Sequence, residues 1–322
     1  MDVQAGATEW ATIDPWWDTA SDDPVANLDT AQSHILDPEW LTESWPDIEP
    51  WWEGHATETK TTYRRLQRTV ATLTDRWATS DSRFDTDPLT EPWNRSAGGS
   101  GPFRLTHEED WSQLLAYLCR NSAGPFLEGL FGGTFATTPT RVRREVPFHA
   151  PDAHNRRIDI LVEYPTQGIA IEVKIEDEHF GKTPPTAALI ERHNKRDWTH
   201  VLLLPERKLP ALQATFGPTL DTESAPPIID TEGNPNVTVH YWHEIARALR
   251  RVLLDDAEPS AHWASAAYLC ITLIEQKLLG FDPVQPDEAT DEVPPLWALE
   301  RRDIGAQVDY LDSLQATLPP AE

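Results

Sequence analysis

The sequence predicts an α/β fold in which a mixed central β-sheet is flanked by helices. Two β-branched apolar runs, at 158–162 and 169–175, are separated by turn residues at 164–168, and this pattern predicts a β-hairpin. Segments with the periodicity of strands and of helices alternate after the hairpin. A strand, a hairpin, a helix, a strand and a helix in this order are typical of a mixed sheet with helices on both faces.

Each further element is predicted from its own apolar pattern. The strands expected outside the hairpin occupy residues 141–148, 199–204 and 237–242. The helices expected from their spacing occupy residues 57–79, 185–196, 244–254, 262–279 and 304–314. The first of these helices carries its apolar stripe at Tyr63, Leu66, Val70, Leu73 and Trp77. One more helix begins at Thr106, where Glu109 three residues later predicts a capping box.

Composition divides the chain into three regions. We expect an acidic Trp-rich N-terminal extension, an α/β domain and an acidic Pro-rich tail, at residues 1–100, 101–280 and 281–322. The extension carries nine of the 14 tryptophans, and a Gly- and Ser-rich stretch at 96–102 ends it. Within it, Ile13–Asp18 recurs as Ile48–Glu53. We interpret these tryptophans as packing anchors, or as a surface for a protein partner or a second copy of the chain.

The chain is strongly acidic. It has 53 Asp and Glu against 27 Lys and Arg, a net charge of -26, and only six of the basic residues are lysines. This composition indicates adaptation to a cytoplasm that holds molar salt. Because the Debye length is about 3 Å at that ionic strength, the overall charge does not exclude a nucleic acid as a partner.

Localisation is predicted from the cysteines and from the lack of long apolar runs. Cys119 and Cys270 lie in apolar helical patterns, so we expect core residues in a reducing compartment. No apolar run has the length of a membrane helix, and the N-terminus carries no basic, hydrophobic leader. We therefore expect a cytoplasmic protein without a membrane partner.

The predicted hairpin brings three charged side chains to one face of the sheet. Side chains alternate along a strand, so Asp159 points away from the face that Ile158 and Ile160 are expected to share. By the same alternation, Glu172 and Lys174 project together from the second strand.

The register of the hairpin decides what these groups do. If Glu163 pairs with Gly168 around the short loop, Asp159 lies across from Glu172 at about 5 Å. Two opposed carboxylates favour a divalent cation between them, and hard oxygen ligands suit Mg²⁺ or Mn²⁺. Lys174 on the same face would orient an attacking water or stabilise charge on phosphorus. A slip of two residues would instead place Asp159 beside Lys174 in an ordinary salt bridge.

These two strands also carry a family motif. The segments Arg-Ile-Asp-Ile at 157–160 and Ile-Glu-Val-Lys at 171–174 resemble the core of the PD-(D/E)xK nuclease superfamily. The resemblance covers about residues 101–280. It implies a restriction-endonuclease-like core and a metal-dependent nuclease that acts on DNA.

The resemblance also implies roles for the charged residues. Asp159 and Glu172 correspond to the metal ligands, and Lys174 corresponds to the residue that assists the water. A literal Pro-Asp occurs at 151–152, but no apolar alternation surrounds it, and we do not assign it to the motif. Many relatives place a Gln and a Tyr in the next helix, whereas the segment 185–196 has neither.

A further acidic residue is expected on the helix before the first strand. Glu108 lies one turn before Trp111, on an apolar stripe that continues to Leu118, so its carboxylate faces inward. The run Glu-x-x-Trp-Ser-x-x-Leu-Ala that starts there resembles the opening helix in one branch of the same superfamily, which supplies an acidic residue to the site. Glu109 and Glu128 are alternatives, and Glu108 alternatively only favours the helix dipole.

Basic residues concentrate around the hairpin, since residues 101–254 hold 17 of the 27. Five arginines lie just before or within the first strand of the hairpin, which carries Asp159. A phosphate backbone would approach the protein there. The five arginines are Arg141, Arg143, Arg144, Arg156 and Arg157. We interpret them as DNA contacts, and an exposed arginine edge strand is the alternative. Arg192 and His193 are further candidates for a phosphate contact, with a solvated helix face as the alternative.

Two functional hypotheses follow. The first is a metal-dependent nuclease, and the second is a non-catalytic protein of the same fold that binds a partner through the Trp-rich segment. The joint presence of Asp159, Glu172 and Lys174 favours the enzyme, because a site without catalysis has no reason to keep like charges opposed. DNA or RNA as substrate, endo- or exonuclease mode and the number of metals stay open.

Overall fold

The computed structural model describes residues 57, 61–62, 64–91, 107–149, 155–193, 195–281 and 304–317. From Thr62 onward these residues belong to one compact unit, Thr62–Glu322. The two Trp-rich repeats, the Gly- and Ser-rich boundary and the Pro-Asp dipeptide lie outside the described residues. Among the helices that are described, none is long and apolar enough to cross a membrane.

Seven strands form one mixed sheet. They are β1 Arg141–His149, β2 Asn155–Glu163, β3 Gln167–Val173, β4 Asp197–Leu204, β5 Leu220–Asp221, β6 Ile228–Ile229 and β7 Val237–Tyr241. Their order is β1-β2-β3-β4-β7-β6-β5. The β3–β4 and β4–β7 pairs are parallel and the other neighbours are antiparallel. The predicted mixed sheet is confirmed, whereas the two-residue strands β5 and β6 are too short to show an alternating pattern.

The helices agree with the predicted positions to within a few residues. They are α1 (64–78), α2 Glu108–Asn121, α3 Pro125–Phe131, α4 Thr183–His193, α5 Leu209–Phe216, α6 Trp242–Leu254, α7 Ala261–Leu273 and α8 Ile304–Thr317. α7 continues into a π-helical turn at Ile274–Leu278. The sequence did not predict α3 and α5, because their seven and eight residues are too few to establish a helical period.

The start of α2 differs from the prediction. Its N-cap residue is His107, and the His107 backbone N–H donates a hydrogen bond to the Asp110 carboxylate at 3.2 Å. The predicted capping box of Thr106 and Glu109 is therefore wrong by one residue. Since Glu108, Glu109 and Asp110 are all acidic, the sequence offers three candidates for the capping carboxylate, and spacing does not choose among them.

Both faces of the sheet are covered by helices, as predicted. Ile169, Ile171 and Val173 of β3 pack in a large cluster with buried residues of α1, α2, α6 and α7, and Ala170 packs on the other face against α4. The predicted stripe of α1 is buried at Leu66, Val70, Leu73 and Trp77. Tyr63 lies outside the described residues. Cys119 and Cys270 are buried and free in the large cluster, which confirms their core position.

The alternation of β2 is broken at Asp159. Ile160 packs in the large cluster, but Ile158 packs on the opposite face, so the prediction that they share a face is wrong. Glu145 of β1 lies opposite Asp159 in the antiparallel register and has a φ of 54°. This left-handed conformation interrupts the pleat, and a glutamate gives no sequence signal for it, because positive φ is uncommon outside glycine.

A close approach between neighbouring strands fixes the hairpin turn. The Tyr164 N–H donates to the Gln167 carbonyl at 2.9 Å. Gly168 follows, and a Cβ added there would overlap the ring of Trp198 on β4. Because only glycine leaves room for this ring, Gly168 helps to set the register of β3 against β4.

Candidate active site

The candidate site lies at the carboxyl end of β3, beside the first turn of α2. β3, β4 and β7 are parallel, so their carboxyl ends share one edge of the sheet. The Lys174 N–H donates to the Leu203 carbonyl at 2.8 Å, which holds Lys174 against β4 just after β3 ends. Ligand sites in open α/β sheets lie at such an edge.

The hairpin has the predicted register. Glu163 pairs with Gly168, and the pairing continues without a slip to residues 160 and 171. Asp159 follows at the end of the paired segment and contacts the end of β3, because its Oδ2 accepts a hydrogen bond from the Val173 N–H at 2.7 Å. This pairing excludes the alternative in which Asp159 lies beside Lys174 in a register shifted by two residues.

Asp159 and Glu172 make few contacts for buried carboxylates. The Val173 N–H donates to Asp159 Oδ2 at 2.7 Å, and within the described residues this is the hydrogen bond that Asp159 makes. The side chain of Glu172 is 14% exposed, and its described contact is Lys174 Nζ, at 3.3 Å from Oε1. Asp159 Oδ1 and Glu172 Oε2 therefore have no donor among the described residues.

Lys174 lies among three carboxylates. Its Nζ lies 3.3 Å from Glu172 Oε1, 3.1 Å from Asp177 Oδ2 and 3.6 Å from Glu108 Oε2. Burial by itself lowers the pKa of Lys174, but the charges of Glu172 and Glu108 and the hydrogen bond to Asp177 outweigh it and hold the pKa above its ordinary value. Lys174 is therefore a fixed positive charge that points at the acidic pair.

Burial raises the pKa of both opposed carboxyl groups. Loss of hydration is the largest cause for Asp159, whose pKa rises to about 6 although the Val173 N–H and Lys174 oppose the change. For Glu172 burial is again the largest cause, followed by the charge of Asp159, and the pKa rises to about 8. The pair therefore holds a proton near neutral pH, which a cation would displace.

Glu108 has a role that the sequence did not reveal. Its Oε1 accepts hydrogen bonds from three successive backbone N–H groups, those of Ile175 at 2.7 Å, Glu176 at 3.2 Å and Asp177 at 3.1 Å. The inward-facing carboxylate predicted on this helix thus ties the start of α2 to the loop after β3. The predicted alternatives Glu109 and Glu128 are exposed.

The five arginines have different surroundings. Arg143 forms a two-point ion pair with Glu163 at 3.0 and 3.1 Å, and Arg144 donates to the Glu109 carbonyl at 2.9 Å. Arg157 pairs with Glu145 at 2.5 Å, but its side chain is 56% exposed.

The other two arginines make weaker contacts. Arg156 donates a long hydrogen bond of 3.5 Å to the Lys182 carbonyl, and Arg141 is exposed. Arg141 and Arg157 are therefore the exposed members of the set, whereas Arg143, Arg144 and Arg156 are partly buried. On α4, His193 Nδ1 bonds to the Leu189 carbonyl at 2.8 Å.

Two groups near Lys174 were missed as site residues. Asp177 bridges Lys174 and His179, and Lys208 Nζ donates to the Glu176 carbonyl at 2.6 Å and to Glu178 Oε1 at 3.1 Å. Asp177 could have been identified from the sequence, because it lies in an acidic loop that contains a histidine and follows Lys174 directly. Lys208 lies 34 positions from Lys174 in the numbering, and no local pattern links them.

Comparisons with known proteins give no family for the chain. No protein-family model, curated protein or solved structure matches it. The side chains of the candidate site are therefore the basis for its chemistry.

The acidic pair fits a small hard cation by its donor chemistry. In the described part of the chain, no group of three or more His, Cys, Asp or Glu side chains is arranged to hold a metal ion. Mg²⁺ requires less than such a group, because it binds proteins through one or two carboxylates and completes its shell with water and substrate phosphate. Asp159 and Glu172 supply two carboxylates, each with an oxygen that no described donor occupies.

Proposed function

We propose that the protein is a metal-dependent nuclease with a restriction-endonuclease-like core that hydrolyses phosphodiester bonds in DNA. The observation that carries the proposal is the pair of neighbouring, partly buried carboxylates, Asp159 and Glu172, with Lys174 Nζ 3.3 Å from Glu172 Oε1. A fold without such chemistry gains nothing from burying two like charges, because unpaired buried charge costs several kcal/mol.

Asp159, Glu172 and Lys174 each have a role in the proposed hydrolysis. Asp159 and Glu172 would hold Mg²⁺ or Mn²⁺, which when bound supplies Lewis-acid polarisation of the phosphate. Lys174 would hold the attacking water in line with phosphorus and stabilise the negative charge that develops on the phosphoryl oxygens. Its raised pKa keeps it charged over the whole working range, so it acts as a fixed charge and not as a base.

DNA is the proposed substrate because of the basic residues around the hairpin. The exposed Arg157 lies on β2 near Asp159, whereas the exposed Arg141 lies at the turn end of the hairpin, where it pairs with Glu163. Phosphate contacts of this kind fix the position of a duplex without reading its sequence. In molar salt the counterion term is weak, so these local contacts and the cation provide most of the binding.

The proposal is tested by cleavage of labelled single- and double-stranded DNA in molar KCl with Mg²⁺ or Mn²⁺. The native protein is compared with Lys174→Ala and with Lys195→Ala, an exposed lysine at the opposite end of the sheet that serves as the matched control. We expect cleavage that requires the cation, that is lost in Lys174→Ala and that is kept in Lys195→Ala.

Two results would contradict the proposal. If the folded native protein cuts no substrate, the non-catalytic alternative gains support, in which the Trp-rich segment binds a partner. If cutting persists in Lys174→Ala at the native rate, the activity does not come from this hairpin.

A further inference from the structure

The loop after β3 carries a histidine, His179, that is paired with an aspartate. His179 Nδ1 is hydrogen-bonded to Asp177 Oδ1, and the His179 backbone N–H donates to the same oxygen at 3.0 Å. A carboxylate only accepts hydrogen bonds, so Nδ1 carries the proton. The side chain is 77% exposed, which leaves Nε2 as the free nitrogen facing solvent. An aspartate at Nδ1 fixes the tautomer and the orientation of the ring.

The same aspartate connects His179 to the acidic pair. Asp177 Oδ2 lies 3.1 Å from Lys174 Nζ, which in turn lies 3.3 Å from Glu172 Oε1. The contacts of Asp177 with His179 and Lys174 outweigh the effect of its burial and hold the pKa of its carboxyl below its ordinary value. Asp177 is therefore a charged bridge between the candidate site and an exposed imidazole.

The loop that presents His179 is held on two sides. Glu108 Oε1 accepts the N–H groups of residues 175–177 at 2.7 to 3.2 Å. Lys208 Nζ, on the segment after β4, donates to the Glu176 carbonyl at 2.6 Å and to Glu178 Oε1 at 3.1 Å. Groups held in this way keep their geometry during a reaction, as a catalytic residue requires.

We propose that His179 is a catalytic residue of the nuclease, the general acid that protonates the leaving oxygen. The inference rests on the proposed function. The water oxygen forms a bond to phosphorus, the bond from phosphorus to the leaving oxygen breaks, and its electron pair stays on that oxygen. The ring of His179, protonated on both nitrogens, gives the leaving oxygen its Nε2 proton, the water releases a proton to solvent, and solvent reprotonates Nε2. The products are an alcohol and a phosphomonoester.

The test uses DNA in which one bridging oxygen at the cleaved bond is replaced by sulfur, on either the 3′ or the 5′ side. A leaving thiolate needs no proton, whereas a leaving alkoxide does. We compare the native protein, His179→Ala and the control His262→Ala, an exposed histidine on α7. Cleavage of ordinary DNA by His179→Ala should fall by about 10²–10⁴-fold. Cleavage of the substrate with sulfur at the leaving position should change by less than about threefold.

The outcomes separate this inference from the proposed function. If the native protein fails to cut ordinary DNA, the nuclease proposal fails before His179 is examined. If the native protein cuts but His179→Ala cuts equally well, or is slowed equally on oxygen and both sulfur substrates, His179 is not the general acid. A second variant, Asp177→Asn, keeps the imidazole but removes the carboxylate that orients it, so we expect a smaller loss with the same sulfur rescue.

Discussion

Two clusters of buried charge in this molecule differ in how completely their carboxylates are hydrogen-bonded. The structural cluster consists of Asp87, Arg250, Glu275 and Tyr310. In it, Glu275 accepts from Arg250 Nε at 2.7 Å, from Arg250 Nη2 at 2.9 Å and from the Tyr310 hydroxyl at 2.6 Å. Asp87 Oδ1 accepts from Arg250 Nη1 at 2.9 Å and from the Leu89 N–H at 2.8 Å, whereas its buried Oδ2 has no partner among the described residues. This network joins the segment after α1 to α6, the π-helical turn and α8.

The carboxylates of the site cluster, Asp159, Glu172 and Lys174, make fewer contacts. Glu172 has one described contact, at 3.3 Å, and Asp159 has one described hydrogen bond, at 2.7 Å. Packing alone would favour the first arrangement, since every buried charge without partners costs stability. The structural cluster joins distant parts of the fold, and under the proposed function the free oxygens of the site cluster would hold the cation.

Substitution of Arg250 tests whether the structural cluster stabilises the fold. Arg250→Met should lower the free energy of unfolding by about 3–5 kcal/mol, because it leaves two carboxylates buried without their cation. Chemical unfolding in molar KCl measures the change. Arg251→Met, at an exposed position of the same helix, is the control and should change little. A loss of under about 1 kcal/mol in Arg250→Met would mean that the network does not stabilise the fold.

The site cluster should behave in the opposite way. Asp159→Asn should slow cation-dependent cleavage by about 10²–10³-fold, the usual effect of removing one group that stabilises the transition state. Its thermal midpoint should stay the same or rise, because a buried charge is removed. Asp197→Asn, exposed at the other end of the sheet, is the control. Equal losses of stability and activity in Asp159→Asn would show that Asp159 is structural.

Glu108 contacts the site cluster and also stabilises the fold. Glu108→Ala leaves three backbone N–H groups without their acceptor and should lower the free energy of unfolding by about 1–3 kcal/mol. Glu108→Gln keeps an acceptor oxygen and should retain most of the stability. Chemical unfolding of both variants measures the difference, and equal losses would indicate that the negative charge, and not the hydrogen bonds, holds the loop.

The smallest expected effect is a pH dependence of cation binding. The pKa values of Asp159 and Glu172 are raised, to about 6 and about 8, so the folded cation-free protein holds protons that the cation must displace. Mn²⁺ affinity should therefore rise with pH through this window, by about tenfold per unit for each proton released. In the absence of cation, the same shifts stabilise the fold at low pH, and this contribution is lost as pH rises through the raised values.

Calorimetry in buffers with different heats of ionisation counts the protons released. Affinity that is flat between pH 6 and pH 8.5, with no proton release, would show that the cation does not displace protons from this pair.

The sequence predicted the main architecture and the register of the hairpin. Their signals are local, because the β-branched runs and the turn before Gly168 fix the pairing within 19 residues. The predicted positions of Asp159, Glu172 and Lys174 followed from that register. Long helices with an apolar stripe, such as α6, were also predicted from the sequence.

The remaining features depend on contacts between distant segments or on backbone conformation. Glu145 has a φ of 54°, and on the neighbouring strand Ile158 lies on the opposite face of the sheet from the one predicted. No pattern in the sequence predicts this change. The three N–H groups that bind Glu108 come from a loop about 70 residues away, and Lys208 reaches the same loop from beyond β4. Side-chain periodicity carries no information about such partners, so the function of Glu108 as a loop anchor was not predictable.

The most direct measurement is a Mn²⁺ titration of the native protein in molar KCl at pH 8, followed by the electron paramagnetic resonance signal of free Mn²⁺. We expect saturable binding that is lost in Glu172→Gln, a variant that removes one charge while keeping the size of the side chain. Glu191→Gln, at an exposed position on α4, should bind like the native protein. Binding in Glu172→Gln equal to that of the native protein, or no saturable binding in the native protein, would contradict the claim that the opposed carboxylates form a cation site.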